Sequence, residues 1–333
     1  MKHDKPHLSI VTTMYKSASY LEPFHARMTK AAINITSHYE IIFVDDGSPD
    51  DSLAVALTLA KTDERIKVIQ LSRNFGHHKA MLTGLQHAQG DYVFLIDCDL
   101  EEDPELLLQF WDKLNQDKNI DVVYGVQNQR KGNWMERWSG DVYFRLLSSL
   151  SNEINIVRNI STIRLMKQAY VNQLTQFQES NYYFGPISTL VGFNQIPFQF
   201  NKRSKKISSY NFLKKYHIFL DSIIAFSSKP LYFIFYLGTI LTLFSFGYMI
   251  YLIIRNLIWG ITIKGWTSII VLISLFGGIN MFFLGIISIY ILHIFKETKN
   301  RPFSIIKHIH HNAAASPKAS SDHPLFNILS ENN

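Results

Sequence analysis

The sequence predicts an α/β protein: a doubly wound, mostly parallel sheet followed by an interfacial amphipathic helix and two transmembrane helices. Three observations carry this expectation. From Leu8 to Val126, short apolar strand patterns alternate with helix patterns, the rhythm of a parallel sheet joined by right-handed crossovers. Two of those strand patterns end abruptly in acids, Asp45-Asp46 and Asp97-Cys98-Asp99. Further on, Leu231–Ile254 and Trp266–Ile294 contain no Asp, Glu, Lys or Arg, and each run exceeds the roughly 20 residues that cross a bilayer.

Taken in order, Leu8–Thr13 reads as a strand and Ala18 to Ser37 as a helix. Glu40–Val44 is a strand running into Asp45-Asp46-Gly47-Ser48, where Asp-Gly-Ser supplies turn chemistry and Ser48 a helix cap. Asp51–Lys61 reads as a helix and Ile66–Leu71 as a strand. His77–Ala88 reads as a helix whose first residues, His77 and His78, are expected to pack rather than to bind. Tyr92–Ile96 is a continuous apolar run with aromatic and β-branched members, as suits a strand buried on both faces. Pro104 fits the first turn of a helix capped by Asp103 and running over Glu105–Asn115. Asp121–Val126 closes the series as a strand.

Composition sets the domain boundaries. Residues 1–207 form the cytosolic α/β domain. In residues 208–229, Phe212, Tyr216, Phe219, Leu220, Ile223 and Phe226 recur at helical spacing, with Lys214, Lys215, Asp221 and Ser222 on other faces. That is an interfacial pattern. Residues 230–254 are the first span, 255–265 a short extracytoplasmic loop, and 266–295 the second span. Gly277, Gly278, Gly285 and Ser288 in the second span would let helices pack closely, as in a homo-oligomer. Residues 296–333 form a cytosolic tail, expected to be disordered from about 312, and its His308, His310 and His311 are expected to be solvated.

Charge sets the orientation. Lys202, Arg203, Lys205, Lys206, Lys214, Lys215 and Lys229 precede the first span, and Lys296, Lys299, Arg301 and Lys307 follow the second. Only Arg255 and Lys264 lie between them. The positive-inside bias therefore places both termini in the cytosol and the chain in the cytoplasmic (inner) membrane. The net charge of +6 is accordingly assigned to an anionic membrane surface and not to nucleic acid. Met1–His7 is polar, so no signal peptide is expected. The single cysteine, Cys98, excludes an internal disulfide and fits a reducing compartment.

Chemistry concentrates at the strand ends. Open α/β sheets bind ligands beyond the carboxyl ends of their strands. Hard divalent ions take one or two carboxylates together with phosphate oxygens. Asp97, Asp99 and Glu101 therefore read as a metal–diphosphate site, with Asp45-Asp46 placed to hydrogen-bond a nucleoside. Glu102, Asp103 and Glu105 are well explained as acids at a helix start. Asp97 is not, because it closes a strongly apolar strand. No Gly-x-Gly-x-x-Gly or Walker loop is present, so metal and basic side chains must hold the diphosphate; Lys79 is within reach in sequence.

Tyr15, Asp45-Asp46-Gly47-Ser48, Ser72-Arg73-Asn74-Phe75-Gly76, Gly84-Leu85, Gly90-Asp91 and Asp97-Cys98-Asp99-Leu100 with Pro104-Glu105 resemble glycosyltransferase family 2. More closely, they are similar to the polyprenyl-phosphate (dolichyl- or bactoprenol-phosphate) glycosyltransferases. The likeness continues through Asp121–Val126, Arg130, Tyr143–Leu147, Arg164-Leu165-Met166, Phe226-Ser227, Pro230-Leu231 and Glu297 with Lys299–Pro302, so it covers residues 8–306. It implies a GT-A, Rossmann-like fold and an inverting transfer of sugar from a nucleotide sugar, typically a UDP-hexose, to a polyprenyl phosphate. It implies that Tyr15 and Asp45 contact the nucleotide with Asp46 beside them, that Asp97 contacts the donor, and that Asp99 and Glu101 bind Mg²⁺ or Mn²⁺. Arg130 and Arg203 would face the phosphates. A flippase or downstream transferase is the implied protein partner.

The sequence departs from that pattern at Thr13, Lys16 and Ser17 around Tyr15, at Glu101 for the usual Gln, at Thr162 for an acid, and at Ser209 for a Lys. These departures bear on the donor and the acceptor phosphate. Two alternatives follow: a membrane glycosyltransferase with another lipid or glycan acceptor, or a non-catalytic sugar-nucleotide-binding partner. A processive synthase would carry Gln-x-x-Arg-Trp, which Met135-Glu136-Arg137-Trp138 matches only in its last two residues.

Overall fold

A computed structural model describes residues 7–127, 160–177, 179, 182, 184–202, 229–259, 265–299 and 301–311. In chain order its elements are β1 (Leu8–Met14), α1 (Ala18–Ile33), β2 (Tyr39–Asp45), α2 (Ser52–Thr62), β3 (Ile66–Leu71), α3 (His77–Gln86), β4 (Tyr92–Leu95) and α4 (Leu106–Leu114). There follow β5 (Val122–Gln127), β6 (Ile160–Lys167), α5 (Gln168–Leu174), α6 (Phe184–Leu190) and β7 (Gln195–Phe200). The last described elements are α7 (Lys229–Trp259), α8 (Trp266–Thr298) and β8 (Ile306–His311). The elements from β1 to β5 appear in the expected order. Their ends shift by a few residues: α1 stops at Ile33, and Pro104 makes a turn ahead of α4, its carbonyl accepting Leu107 N–H at 3.2 Å.

The chain divides into two compact units. The first comprises the described residues through Leu100, with Pro104–Leu108 and those from Ser304 onward. Its strand order is β4-β1-β2-β3-β8. β1 pairs in parallel with both β2 and β4, and β2 with β3. Every residue of β1 is buried, which is why its run carries no polar alternation. α3 packs on β1 and β2 through Gly84, where a Cβ would lie 2.5 Å from Val11 and 2.9 Å from Val44 side-chain atoms.

β8 departs from expectation. The stretch read as solvated tail is a strand antiparallel to β3, pairing Val68 with His310 and Gln70 with His308. Its entry is tied down as well: Ser72 N–H donates to the Ile305 carbonyl at 2.9 Å, and Thr83 Oγ1 lies 2.7 Å from Ser304 Oγ. The free edge of β3 supplied a partner that periodicity within the tail does not reveal.

The second unit comprises Glu101–Asp103 and the described residues of Gln109–Phe303. Here β5 pairs antiparallel with β6 and parallel with β7. Arg164 on β6 is fully buried. Its Nε and Nη2 donate to the carbonyls of Thr162 and Ser161, and its guanidinium lies 4.3 Å from the Phe184 ring centre. The Arg164 motif is thus part of this unit's core. α7 and α8 contain 31 and 33 residues. Among the described residues, Phe276–Thr298 of α8 is the one helical stretch long and apolar enough to cross a membrane, and none of it is buried within the chain. The amphipathic segment expected at 208–229 lies outside the described residues apart from Lys229.

Candidate functional site

Within the first unit, β1 lies between β2 and β4 and all three run parallel, so their carboxyl ends share one edge. A cavity of about 250 Å³ opens there. β1 and the residues after it contribute Thr13, Met14, Tyr15 and Ser17; the end of β2 contributes Asp46; the approach to α3 contributes Asn74, Gly76 and His77; the turn after β4 contributes Asp97, Cys98 and Asp99. Of the residues singled out in the sequence, the fold therefore brings together Tyr15, Asp46, Asp97 and Asp99.

The two acids closing β2 diverge. Asp46 faces the cavity and clamps the loop before α3, accepting Phe75 N–H at 2.7 Å and Gly76 N–H at 3.0 Å. Asp45 is not among the cavity-lining residues; its Oδ1 accepts Ser48 N–H at 3.1 Å and so closes the turn. Burial raises the pKa of both, opposed at Asp45 by hydrogen bonds from Ser48 and at Asp46 by those from Phe75 and Gly76. Gly47 between this turn and the loop has φ +66°, and a Cβ there would lie 2.7 Å from the backbone of Arg73 and Asn74.

Beyond β4, the Asp97 side chain is 22 % exposed, and its Oδ1 lies 3.3 Å from His77 Nε2. His77 Nδ1 lies 2.9 Å from Thr13 Oγ1. Cys98 is buried and its Sγ donates to the Thr13 carbonyl at 3.1 Å. Burial, with Asp97 and Asp99 nearby, pushes this thiol up to about 12. Leu100 takes a left-handed φ of +59°, turning the chain immediately after Asp99. Tyr15 is 46 % exposed at the cavity, with the Lys16 ammonium 5.7 Å from its ring centre.

Glu101 belongs to the second unit, where its Oε2 lies 3.2 Å from Lys202 Nζ. Neighbouring Glu102 is fully buried and accepts the Ser161 hydroxyl. Arg130 and Arg203 lie outside the described residues. His77, expected to pack, instead lines the cavity. Thr13, Ser17, Asn74 and His77 were not among the candidates. Asn74 stood inside a quoted motif, whereas the roles of Thr13 and His77 depend on contacts across 64 residues of sequence.

The donor set at the cavity suits a hard divalent ion: Asp99 and Asp97 offer carboxylate oxygens. Among the described residues no group of three His, Cys, Asp or Glu side chains is gathered to hold a metal. A cation here would need further oxygens from a bound phosphate.

Comparison with known proteins extends these findings. A family model described as glycosyl transferase family 2 matches residues 9–175. A Mycobacterium tuberculosis protein described as a putative glycosyltransferase is 44% identical over 314 residues, covering 94% of this chain and 91% of that one. The SfII prophage-derived bactoprenol glucosyl transferase of Shigella flexneri is 28% identical over 306 residues, covering 91% and 98%. Among solved structures, glucosyl-3-phosphoglycerate synthase from Mycobacterium tuberculosis in complex with uridine diphosphate aligns with a TM-score of 0.50 at 17% identity, over 67% of this chain and 80% of that one. The last likeness concerns the fold alone.

Proposed function

The chain belongs to glycosyl transferase family 2, and on that premise we propose that it moves a hexose from a nucleotide sugar to a polyprenyl phosphate at the cytoplasmic face of a membrane. The observation that carries this reading is the cavity at the strand ends, where Asp97 and Asp99 meet Tyr15 and Asp46. The bactoprenol glucosyl transferase relative, matched over nearly its whole length, supports the lipid acceptor.

Tyr15, which lines the cavity, stacks against or hydrogen-bonds the nucleoside in this proposal, and Asp46 shapes the wall through the Phe75–Gly76 loop. Asp97 contacts the donor. Asp99, with Asp97 beside it at the cavity, is the residue that would hold Mg²⁺ or Mn²⁺, which when bound would supply Lewis-acid stabilisation of the departing diphosphate. Arg130 and Arg203 gather the two anionic partners, which otherwise repel. The acceptor needs no general base: a phosphate monoester has a second pKa near 6, so it is already largely a dianionic nucleophile at neutral pH. Its oxygen forms the new bond at the anomeric carbon as the bond to the nucleoside diphosphate breaks, with inversion.

Both α7 and α8 cross the membrane in this proposal. Large apolar side chains along each are exposed, among them Phe233 and Phe235 on α7 and Met281 and Phe282 on α8, and a bilayer would cover them. The basic flanks support a cytosolic α/β domain.

The test is direct. Membranes carrying the protein, supplied with Mg²⁺, polyprenyl phosphate and a panel of labelled nucleotide sugars, should yield a mild-acid-labile glycolipid. Asp99→Ala should abolish it while the protein stays in the membrane fraction. Full activity in Asp99→Ala would refute the metal assignment. Product formed only with a glycan acceptor would replace the lipid acceptor, and donor binding without turnover would leave a non-catalytic partner.

A further inference from the structure

We propose that His77 is a positioning residue for the donor: a hydrogen bond with Thr13 fixes the His77 ring, and the ring stands against the Asp97 carboxylate at the cavity. This rests on the assignment of Asp97 to the nucleotide-sugar donor made above.

Three separate segments meet at the imidazole. His77 is the first residue of α3 and lines the cavity. Its Nδ1 lies 2.9 Å from the hydroxyl of Thr13 on β1, and its Nε2 lies 3.3 Å from Asp97 Oδ1, beyond β4. An ionised carboxylate only accepts, so the ring proton facing Asp97 is the one on Nε2. In the neutral ring Nδ1 is then an acceptor, and the buried Thr13 hydroxyl donates to it. The partner of one ring nitrogen thereby fixes which nitrogen carries the proton at the other.

Thr13 acts twice. Its hydroxyl sets the ring, and its carbonyl receives the Cys98 thiol, so a single β1 residue holds both His77 and the turn that carries Asp97. The His77 side chain is also 44 % exposed. A histidine serving only to pack would bury its ring; this one stands at the cavity with Nδ1 hydrogen-bonded to Thr13 and Nε2 3.3 Å from the Asp97 carboxylate. The geometry suits orientation of a carboxylate. Residues that orient groups touching a ligand are typically worth about 10- to 100-fold in affinity when that ligand is a metal, and a single neutral hydrogen bond is worth less.

The test uses the full-length protein in detergent, with UDP as the binding probe and the donor found by the panel for kinetics. His77→Ala should weaken UDP and raise donor KM about tenfold, with kcat changing less. His77→Gln, whose amide can present an N–H to Asp97, should recover part of that loss. Thr13→Val is nearly isosteric but cannot donate, and should weaken UDP about threefold with an unchanged melting temperature. If the wild type binds UDP and both His77→Ala and Thr13→Val match it, the proposal fails alone. If His77→Ala loses binding only in step with a lowered melting temperature and His77→Gln restores nothing, packing explains the residue and the proposal fails. If the wild type neither binds UDP nor turns over any nucleotide sugar, the donor assignment and the proposal fall together.

Discussion

Asp46 accepts the backbone N–H of Gly76 at 3.0 Å with one oxygen while the other takes that of Phe75. The last acid of the β2 turn thus fixes the loop that leads into α3 and sets where His77 begins that helix. Asp46 is 3 % exposed, so its side of the clamp is shielded from competing water.

Breaking this clamp should show first in stability and then in the site. Asp46→Ala should destabilise the protein by about 2 kcal/mol, because two half-buried N–H groups lose a charged acceptor. Asp46→Asn keeps one acceptor oxygen and should lose about half as much. Gly47→Ala should act on the same contact, with about 1–2 kcal/mol from its left-handed backbone and more from the overlap with Arg73 and Asn74. Denaturant unfolding of the solubilised protein measures all three. A Gly47→Ala variant as stable as wild type would mean that turn and loop are not in contact.

The strand after the second long helix should matter to the α/β fold. A chain ended at Phe303 keeps α7 and α8 but loses β8, the Ser304–Thr83 contact and the bond from Ser72 to Ile305. β3 then becomes an open edge, which invites aggregation. The expected result is normal membrane recovery with a lower melting temperature and reduced donor turnover. Unchanged turnover would show that β8 is dispensable.

Acid should act through Asp63. This buried carboxylate is pushed up by desolvation, but hydrogen bonds from Arg65 at 2.7 Å and from His25 outweigh that and leave its pKa below the ordinary 3.8. A depressed folded pKa means that the unfolded chain binds more protons, so the contribution is whole above about 3.8 and is lost as pH falls below it. Asp45 and Asp46, raised by burial, work in the opposite direction just above that value. Asp63→Asn should therefore be less stable than wild type at neutral pH, with the gap narrowing below pH 3.8, as melting curves across that range would show. A gap constant with pH would remove Asp63 from the account.

The alternation of strands and helices through β5, the acids at the ends of β2 and β4, and the two long apolar runs were determined by the sequence alone. Each is a local pattern: period, continuous apolar length, or an abrupt change to charge. Tertiary structure decided the rest. Adjacent residues at a strand end point to opposite sides, so only the fold could turn Asp46 to the cavity and Asp45 to Ser48. Only long-range pairing could make a histidine-rich stretch the partner of β3, because an edge strand's ladder depends on a distant segment and not on its own composition. The same holds for Glu101, met by Lys202, and for His77, whose ring reaches Thr13 and Asp97 because parallel strands bring distant residues to one edge.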